Sequence, residues 1–212
     1  MRTKLVIWDW NGTLLDDTRI CFEIANVMRA ERNMPLLPSI DVYREMFRFP
    51  VIDYYRAMGY AFEKEPYEAV SVEFIDRYTQ RFAECPLRRD AVETVSKLRK
   101  RGFMQAILSV TGEDKLIAQT SHFGLTKLFD RILGTRDDLA HGKADLAQSF
   151  LSETGLTPES VLFVGDTDHD AAVAAAVGCR AALLTGGHQK KEKLSALGVP
   201  VLDDVQGIAA LL

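Results

Sequence analysis

Asp9 closes a short apolar run, Lys4-Leu5-Val6-Ile7-Trp8, and Asn11, Gly12 and Thr13 follow it within four residues. A buried strand that ends in an acid and a glycine turn delivers a carboxylate to the rim of a sheet. Three other polar clusters sit where apolar runs stop. Ser109-Val110-Thr111-Gly112 follows Phe103–Leu108, His141-Gly142-Lys143 precedes a helical stretch, and Gly165-Asp166-Thr167-Asp168-His169-Asp170 follows Val161–Val164. Asp9, Asp166 and Asp170 are the oxygen ligands a hard divalent cation takes, with Mg²⁺ the best match. The Ser109 hydroxyl, the amides around Val110 and Thr111, and Lys143 are donors suited to phosphate oxygens. A cation and a lysine together would neutralise a phosphoryl group. Asp9 would then attack it in line, and water would hydrolyse the resulting aspartyl-phosphate.

Each cluster alone has a plainer explanation. A strand-terminal Asp can cap the next helix, Ser109 is a common turn residue, and Lys143 can be a solvated lysine at a helix start. The acids of Gly165–Asp170 can favour a helix N-terminus through its dipole. Their occurrence together, each at a strand or helix boundary, favours a shared site.

These residues need a scaffold. Short runs rich in β-branched and aromatic residues recur at 4–8, Phe103–Leu108, Phe129–Leu133, Val161–Val164, Ala181–Leu184 and Val199–Leu202. Helical stretches at Asp114–Phe123, Lys143–Thr154, Asp168–Val177 and Lys190–Leu197 alternate with them. Strand and helix in regular alternation predict an α/β fold, a Rossmann-like parallel sheet flanked by helices. The segment 16–86 shows helical spacing and no convincing strand, punctuated by Pro35, Pro38, Pro50, Gly59 and Pro66. It is expected to be an all-helical cap inserted into a core made of residues 1–15 and 87–212, with crossings near Leu14–Asp17 and Ala83–Arg88.

The chain has 212 residues and a net charge of -4, so it carries no basic footprint for nucleic acid. Its three cysteines, Cys21, Cys85 and Cys179, form no CxxC pair and read as structural thiols in a reducing compartment. Neither a signal peptide nor a membrane span is evident, so a cytoplasmic protein is expected. The expected partner is a small phosphorylated metabolite, and the expected state is a monomer or weak homodimer.

Asp9-Trp10-Asn11-Gly12-Thr13, Ser109, Lys143 and Gly165-Asp166 with Asp170 resemble, in order, the four motifs of the haloacid dehalogenase superfamily. The resemblance spans nearly the whole chain. The helical insert after the first motif resembles the C1 cap of the phosphoglycolate phosphatase-like branch. The resemblance implies that Asp9 is nucleophile and Mg²⁺ ligand, that Ser109 and Lys143 bind the phosphoryl group, and that Lys143 also restrains the nucleophile. It implies that Asp166 ligates Mg²⁺ and that Asp170 does so directly or through water. Gly12 and Thr13 would form the turn coupled to the cap. Asp168 ranks behind these acids, and His169 reads as an exposed loop residue.

The chain departs from the family pattern at Asn11. There the family's phosphatases carry an acid that protonates the leaving group and then activates water. The Asn11 side chain can do neither, although its main-chain carbonyl remains available to the metal. Metal and phosphate binding should survive, with turnover slowed by roughly 10²–10⁴-fold and less for a good leaving group. Other readings are a non-catalytic phosphate-ligand binder, a phosphomutase, a dehalogenase and a phosphonatase. The last needs a cap lysine, and Lys64 is the one the cap offers. Because Gly12 follows, Asn11 is also a deamidation candidate. Arg48, in Met46-Phe47-Arg48-Phe49-Pro50, is the cap residue expected to meet a second anion on the substrate, which would suit 2-phosphoglycolate.

Overall fold

The computed structural model describes residues 3–135 and 142–212. His141, read above as part of the run before Lys143, lies outside the described residues. The first strand, β1 (Leu5–Trp8), is buried along its whole length. It is followed in the chain by β2 (Met104–Gly112), β3 (Arg131–Thr135), β4 (Val161–Gly165), β5 (Arg180–Leu184) and β6 (Val201–Leu202). They form one parallel sheet in the order β3-β2-β1-β4-β5-β6. The fold is the expected α/β, Rossmann-like sheet.

Burial on both faces explains why β1 reads as a continuous apolar run rather than an alternating one. Val6 and Trp8 pack with Ile107, Leu162 and Val164 in one cluster, while Leu5 and Ile7 pack with Ala106, Leu108 and Phe163 in another. Two indoles enter this core because each finds an acceptor: Trp8 Nε1 donates to Gln105 at 3.1 Å and Trp10 Nε1 to Gln119 at 2.8 Å.

Strand order reverses at β1. The chain moves outward through β2 and β3, then returns to place β4 on the other side of β1. Such a switch point opens a crevice at the carboxyl ends of the two strands. Asp9 follows β1 and Asp166 follows β4, and the register that pairs Trp8 with Val164 brings both acids to the same end of the sheet, with Asp166 one residue further along.

Within residues 16–86, after β1, the chain forms four α-helices and no strand: α1 (Thr18–Glu31), α2 (Ile40–Met46), α3 (Val51–Ala57) and α4 (Tyr67–Arg81). The chain leaves and rejoins the sheet side by side. Asp16 N donates to Pro86 O and Arg88 N to Leu14 O, both at 2.8 Å. The remaining helices are α5 (Ala91–Lys100), α6 (Glu113–His122), α7 (Lys143–Thr154), α8 (Asp168–Ala176) and α9 (Lys191–Ser195). Among the described residues no helix is long and apolar enough to cross a membrane.

Candidate active site

Each expected site residue except Arg48 comes to the crevice. Asp9, Asn11, Ser109, Val110, Thr111, Lys143, Asp166 and Asp170 line one cavity with the inner face of the helical insert. Lys143 is the first residue of α7, set by a left-handed turn at Gly142 (φ 84°). Its Nζ donates to Asp9 Oδ1 at 2.6 Å and Asp170 Oδ1 at 2.7 Å. Asp170 sits in the first turn of α8, where its Oδ2 accepts from Thr167 N at 3.0 Å and Thr167 Oγ1 at 2.6 Å. Thr167 and Asp170 thus form a capping box. Asp166 accepts from Thr13 Oγ1 at 2.9 Å and His188 N at 2.7 Å.

Oxygens of Asp9, Asp166 and Asp170 lie within 4.8 Å of one another, and all three residues are buried. Burial pushes the Asp9 carboxyl up to about 8 despite the opposing charge of Lys143, and Asp170 and Asp166 add to the rise. Burial also raises Asp166 to about 6, against the pull of His188. For Asp170 burial is outweighed, chiefly by Lys143, and the carboxyl is held below the usual range. Burial likewise works against the Lys143 charge, but Asp170 and Asp9 outweigh it and keep the ammonium protonated. One ammonium facing three carboxylates leaves an excess of negative charge, which a divalent cation would neutralise. The local backbone fits this demand. A Cβ on Gly12 or Gly187 would stand 2.3 Å from Asp166 Oδ2, and one on Gly165 would stand 2.2 Å from Asp170 Cγ. Only glycine lets the chain pass so close to these acids.

The strand carrying Ser109 runs further than expected, to Gly112, but its pairing with β3 shifts register between Ser109 and Gly112. Thr111 N donates to Ser109 Oγ at 3.1 Å, which stabilises the irregular segment.

Asn11 is held on both ends of its side chain. Nδ2 donates to Asp17 Oδ2 at 2.7 Å and Tyr78 Oη at 2.8 Å, and Oδ1 accepts from Thr111 Oγ1 at 2.9 Å. Because a carboxylate only accepts, the amide nitrogen must face Asp17. Asp17 itself takes five donors: Gly12 N, Asn11 Nδ2, Tyr78 Oη, His188 Nε2 and, more weakly, the Cys21 thiol. Burial would raise its carboxyl, but His188 and these hydrogen bonds prevail and hold it below the usual range. Asp17 in turn overcomes the effect of burial on His188 and raises the imidazole to about 9. His188 Nδ1 meets Tyr43 Oη at 2.9 Å, and its ring stacks on Phe47. Asp17, Cys21 and His188 also bring ligand atoms within 4.8 Å. Asp17 is already saturated there and burial keeps the Cys21 thiol protonated, so the trio makes a poor metal site.

Asp17 and His188 were not among the residues singled out by sequence. In the sequence Asp17 marks only a crossing point between insert and core. His188 follows Thr185-Gly186-Gly187 after the end of β5, a polar strand-end position of the same kind as Asp9 and Asp166. Arg48 does not join the other expected site residues: it is exposed, its Nε donates to Met46 O at 2.9 Å, and it is not among the residues lining the cavity. The carbonyl two residues back captures the guanidinium, while the flanking Phe47 and Phe49 turn inward. Arg44 reaches the carbonyls of Gly186 and Gly187, both at 2.9 Å, and Arg56 pairs with Asp53 at 2.8 Å. Lys64 is exposed and outside the cavity. His169 is half-buried rather than exposed, because its ring stacks on Phe49.

The profile of haloacid dehalogenase-like hydrolases matches residues 6–184, a span that contains every acid and the lysine of this cluster. The chain belongs to that family. It is 30% identical over 180 residues to N-acetylmuramic acid 6-phosphate phosphatase of Pseudomonas aeruginosa, covering 80% of this chain and 76% of the relative. It is 27% identical over 192 residues to phosphoglycolate phosphatase 1 of the same organism, covering 87% and 70%. A crystal structure of a predicted phosphoglycolate phosphatase from Haemophilus somnus superposes with a TM-score of 0.82 at 20% identity, covering 100% of this chain and 98% of that one.

Proposed function

We propose that this hydrolase is a cytoplasmic, Mg²⁺-dependent phosphatase of a small phosphate monoester, with residues 16–86 as its cap. The observation that carries this reading is the buried cluster of Asp9, Lys143, Asp166 and Asp170 at the sheet's switch point. Asp9 and Asp166 would hold the cation, with Asp170 and the Asn11 carbonyl as the remaining protein groups near it. When bound, Mg²⁺ supplies charge neutralisation for the phosphoryl oxygens and keeps Asp9 ionised.

Asp9 is the nucleophile in this reading. Lys143 fixes one of its oxygens and leaves the other to attack phosphorus. Ser109, the amides near Val110 and Thr111, and the Lys143 ammonium would receive the equatorial oxygens. Thr13 and the His188 amide orient Asp166 from behind. Water then cleaves the aspartyl-phosphate without a side-chain base at position 11.

The second reading, a phosphate-ligand binder with little turnover, is favoured by the same locked amide of Asn11. The related phosphoglycolate phosphatases suggest 2-phosphoglycolate as a substrate, although Arg48, the residue expected to meet its carboxylate, is not among those lining the cavity. An ester panel with Mg²⁺, run on wild type and Asp9→Asn, separates the two readings. A phosphatase releases phosphate in the first and not in the second. A binder releases none in either.

A further inference from the structure

The cavity continues from the acids into the helical insert, with a volume of about 190 Å³. A cavity on the order of 150 Å³ is enough to hold a benzene-sized ring. The wall away from the acids is built by Tyr54 and Tyr55 of α3 and by Tyr67, Phe74 and Ile75 of α4. Among the described residues its positive groups, Lys115, Lys143 and His188, all come from the sheet side; the insert contributes no lysine or arginine to the lining. Two polar atoms stand out on the apolar side, Tyr54 Oη and Ser71 Oγ, each buried without a hydrogen-bond partner. Ser71 is among the residues lining the cavity, and it is 5% exposed. A buried hydroxyl left in that state costs stability unless something meets it.

We propose that the substrate is an aryl phosphate, with its ring among the aromatic side chains of the insert and a polar ring substituent meeting Ser71. The proposal rests on the phosphatase reading of the same site. It also accounts for Asn11. An alkoxide leaving group needs a proton as it departs, whereas a phenol ionises with a pKa of about 10, and its phenolate leaves without one. In the balanced step an Asp9 oxygen forms a bond to phosphorus, the bond from phosphorus to the aryl oxygen breaks, and the electron pair leaves with the phenolate. The phenolate takes a proton from bulk water. A second water then attacks phosphorus, the bond to the Asp9 oxygen breaks with its electron pair returning to the carboxylate, and inorganic phosphate leaves with the water's oxygen and one of its protons, while the other proton neutralises the hydroxide left when the phenolate was protonated. Nothing is oxidised or reduced.

Aryl esters are intrinsically reactive, so binding of unreactive analogues is the deciding test. Titration calorimetry with Mg²⁺ present would compare benzylphosphonate, its ring-hydroxylated isomers and 3-phosphonopropionate, which mimics 2-phosphoglycolate. Benzylphosphonate should bind at least about 10-fold tighter than 3-phosphonopropionate, the discrimination an apolar pocket supplies. One hydroxylated isomer should gain roughly fivefold more, and Ser71→Ala should remove that gain while leaving benzylphosphonate unchanged. Ile75→Lys should shift the preference toward 3-phosphonopropionate. Equal or tighter binding of 3-phosphonopropionate by wild type, or no binding of either analogue, overturns the proposal. Tight benzylphosphonate binding without hydrolysis of any ester sinks the hydrolytic reading alone and leaves the ring preference standing.

Discussion

Asn11 is not a neutral stand-in for an acid, because its surroundings are built for an amide. Its Nδ2 lies 2.7 Å from a buried carboxylate oxygen of Asp17. Asn11→Asp would put two acids in that contact and force a proton onto one of them. Urea unfolding should show the variant less stable by about 1–3 kcal/mol, the cost of a buried polar contact turned unfavourable. The deficit should grow from pH 5 to pH 8 as the proton becomes harder to keep. A variant as stable as wild type at pH 8 would contradict this account. The same contacts bear on deamidation, which requires Gly12 N to attack the Asn11 side chain. In the folded protein that amide donates to Asp17 Oδ1 at 2.8 Å and the side chain is held by three hydrogen bonds. Peptide mapping after prolonged incubation should therefore recover Asn11 intact, and accumulating isoaspartate would show the contacts to be too weak to protect it. Gly187 offers a different residue-scale test. Gly187→Ala would push on Asp166 Oδ2 from 2.3 Å and should weaken Mg²⁺ binding by roughly 10–100-fold, as displaced supporting contacts do. Unchanged Mg²⁺ affinity by calorimetry would separate Asp166 from the metal.

At the scale of elements, the sheet and the positions of its acids were readable because they follow from short-range rules. Val161–Val164 is apolar, β-branched and bounded by turns, so both the strand and the placing of Asp166 just beyond it were legible. Lys143 was legible as the start of α7. The contacts between the insert and the loop after β5 were not. Asp17 lies 171 residues from His188, and nothing local in either stretch announces the pairing. Arg48 differs for the opposite reason: its type suits an anion, but its guanidinium bonds the carbonyl two residues back. The Asp17–His188 pair should also leave a mark on stability. His188 is raised from its ordinary 6.5 to about 9 on folding. A raised histidine contributes stability that is fully present below 6.5 and is lost as pH climbs through about 9. Stability without metal should fall across that window, and His188→Gln should flatten the slope. An unchanged slope in the variant would assign the fall to other groups.

At the scale of the molecule, the buried acids should make the fold itself responsive to metal. A ligand that binds only the folded chain stabilises it by about 2.7 kcal/mol at 100 times its Kd. Mg²⁺ should therefore raise the melting temperature of wild type, and Asp166→Asn should lose most of that rise. A wild-type melting temperature indifferent to Mg²⁺ would argue against a resident cation at this cluster. The broad architecture serves one end. A reversal of strand order gathers Asp9, Asp166, Asp170 and Lys143 at one crevice, and a helical insert covers that crevice with an aromatic wall. The central claim concerns Asp9 as the atom donor to phosphorus. It is tested most directly by quenching the enzyme during turnover of phenyl phosphate with Mg²⁺, reducing with borohydride and mapping the product by mass spectrometry. The account predicts that residue 9, and no other carboxylate, carries the reduced acyl-phosphate, and that Asp9→Asn gives neither product nor label. Steady turnover with Asp9 unmodified, or full activity in Asp9→Asn, would contradict it.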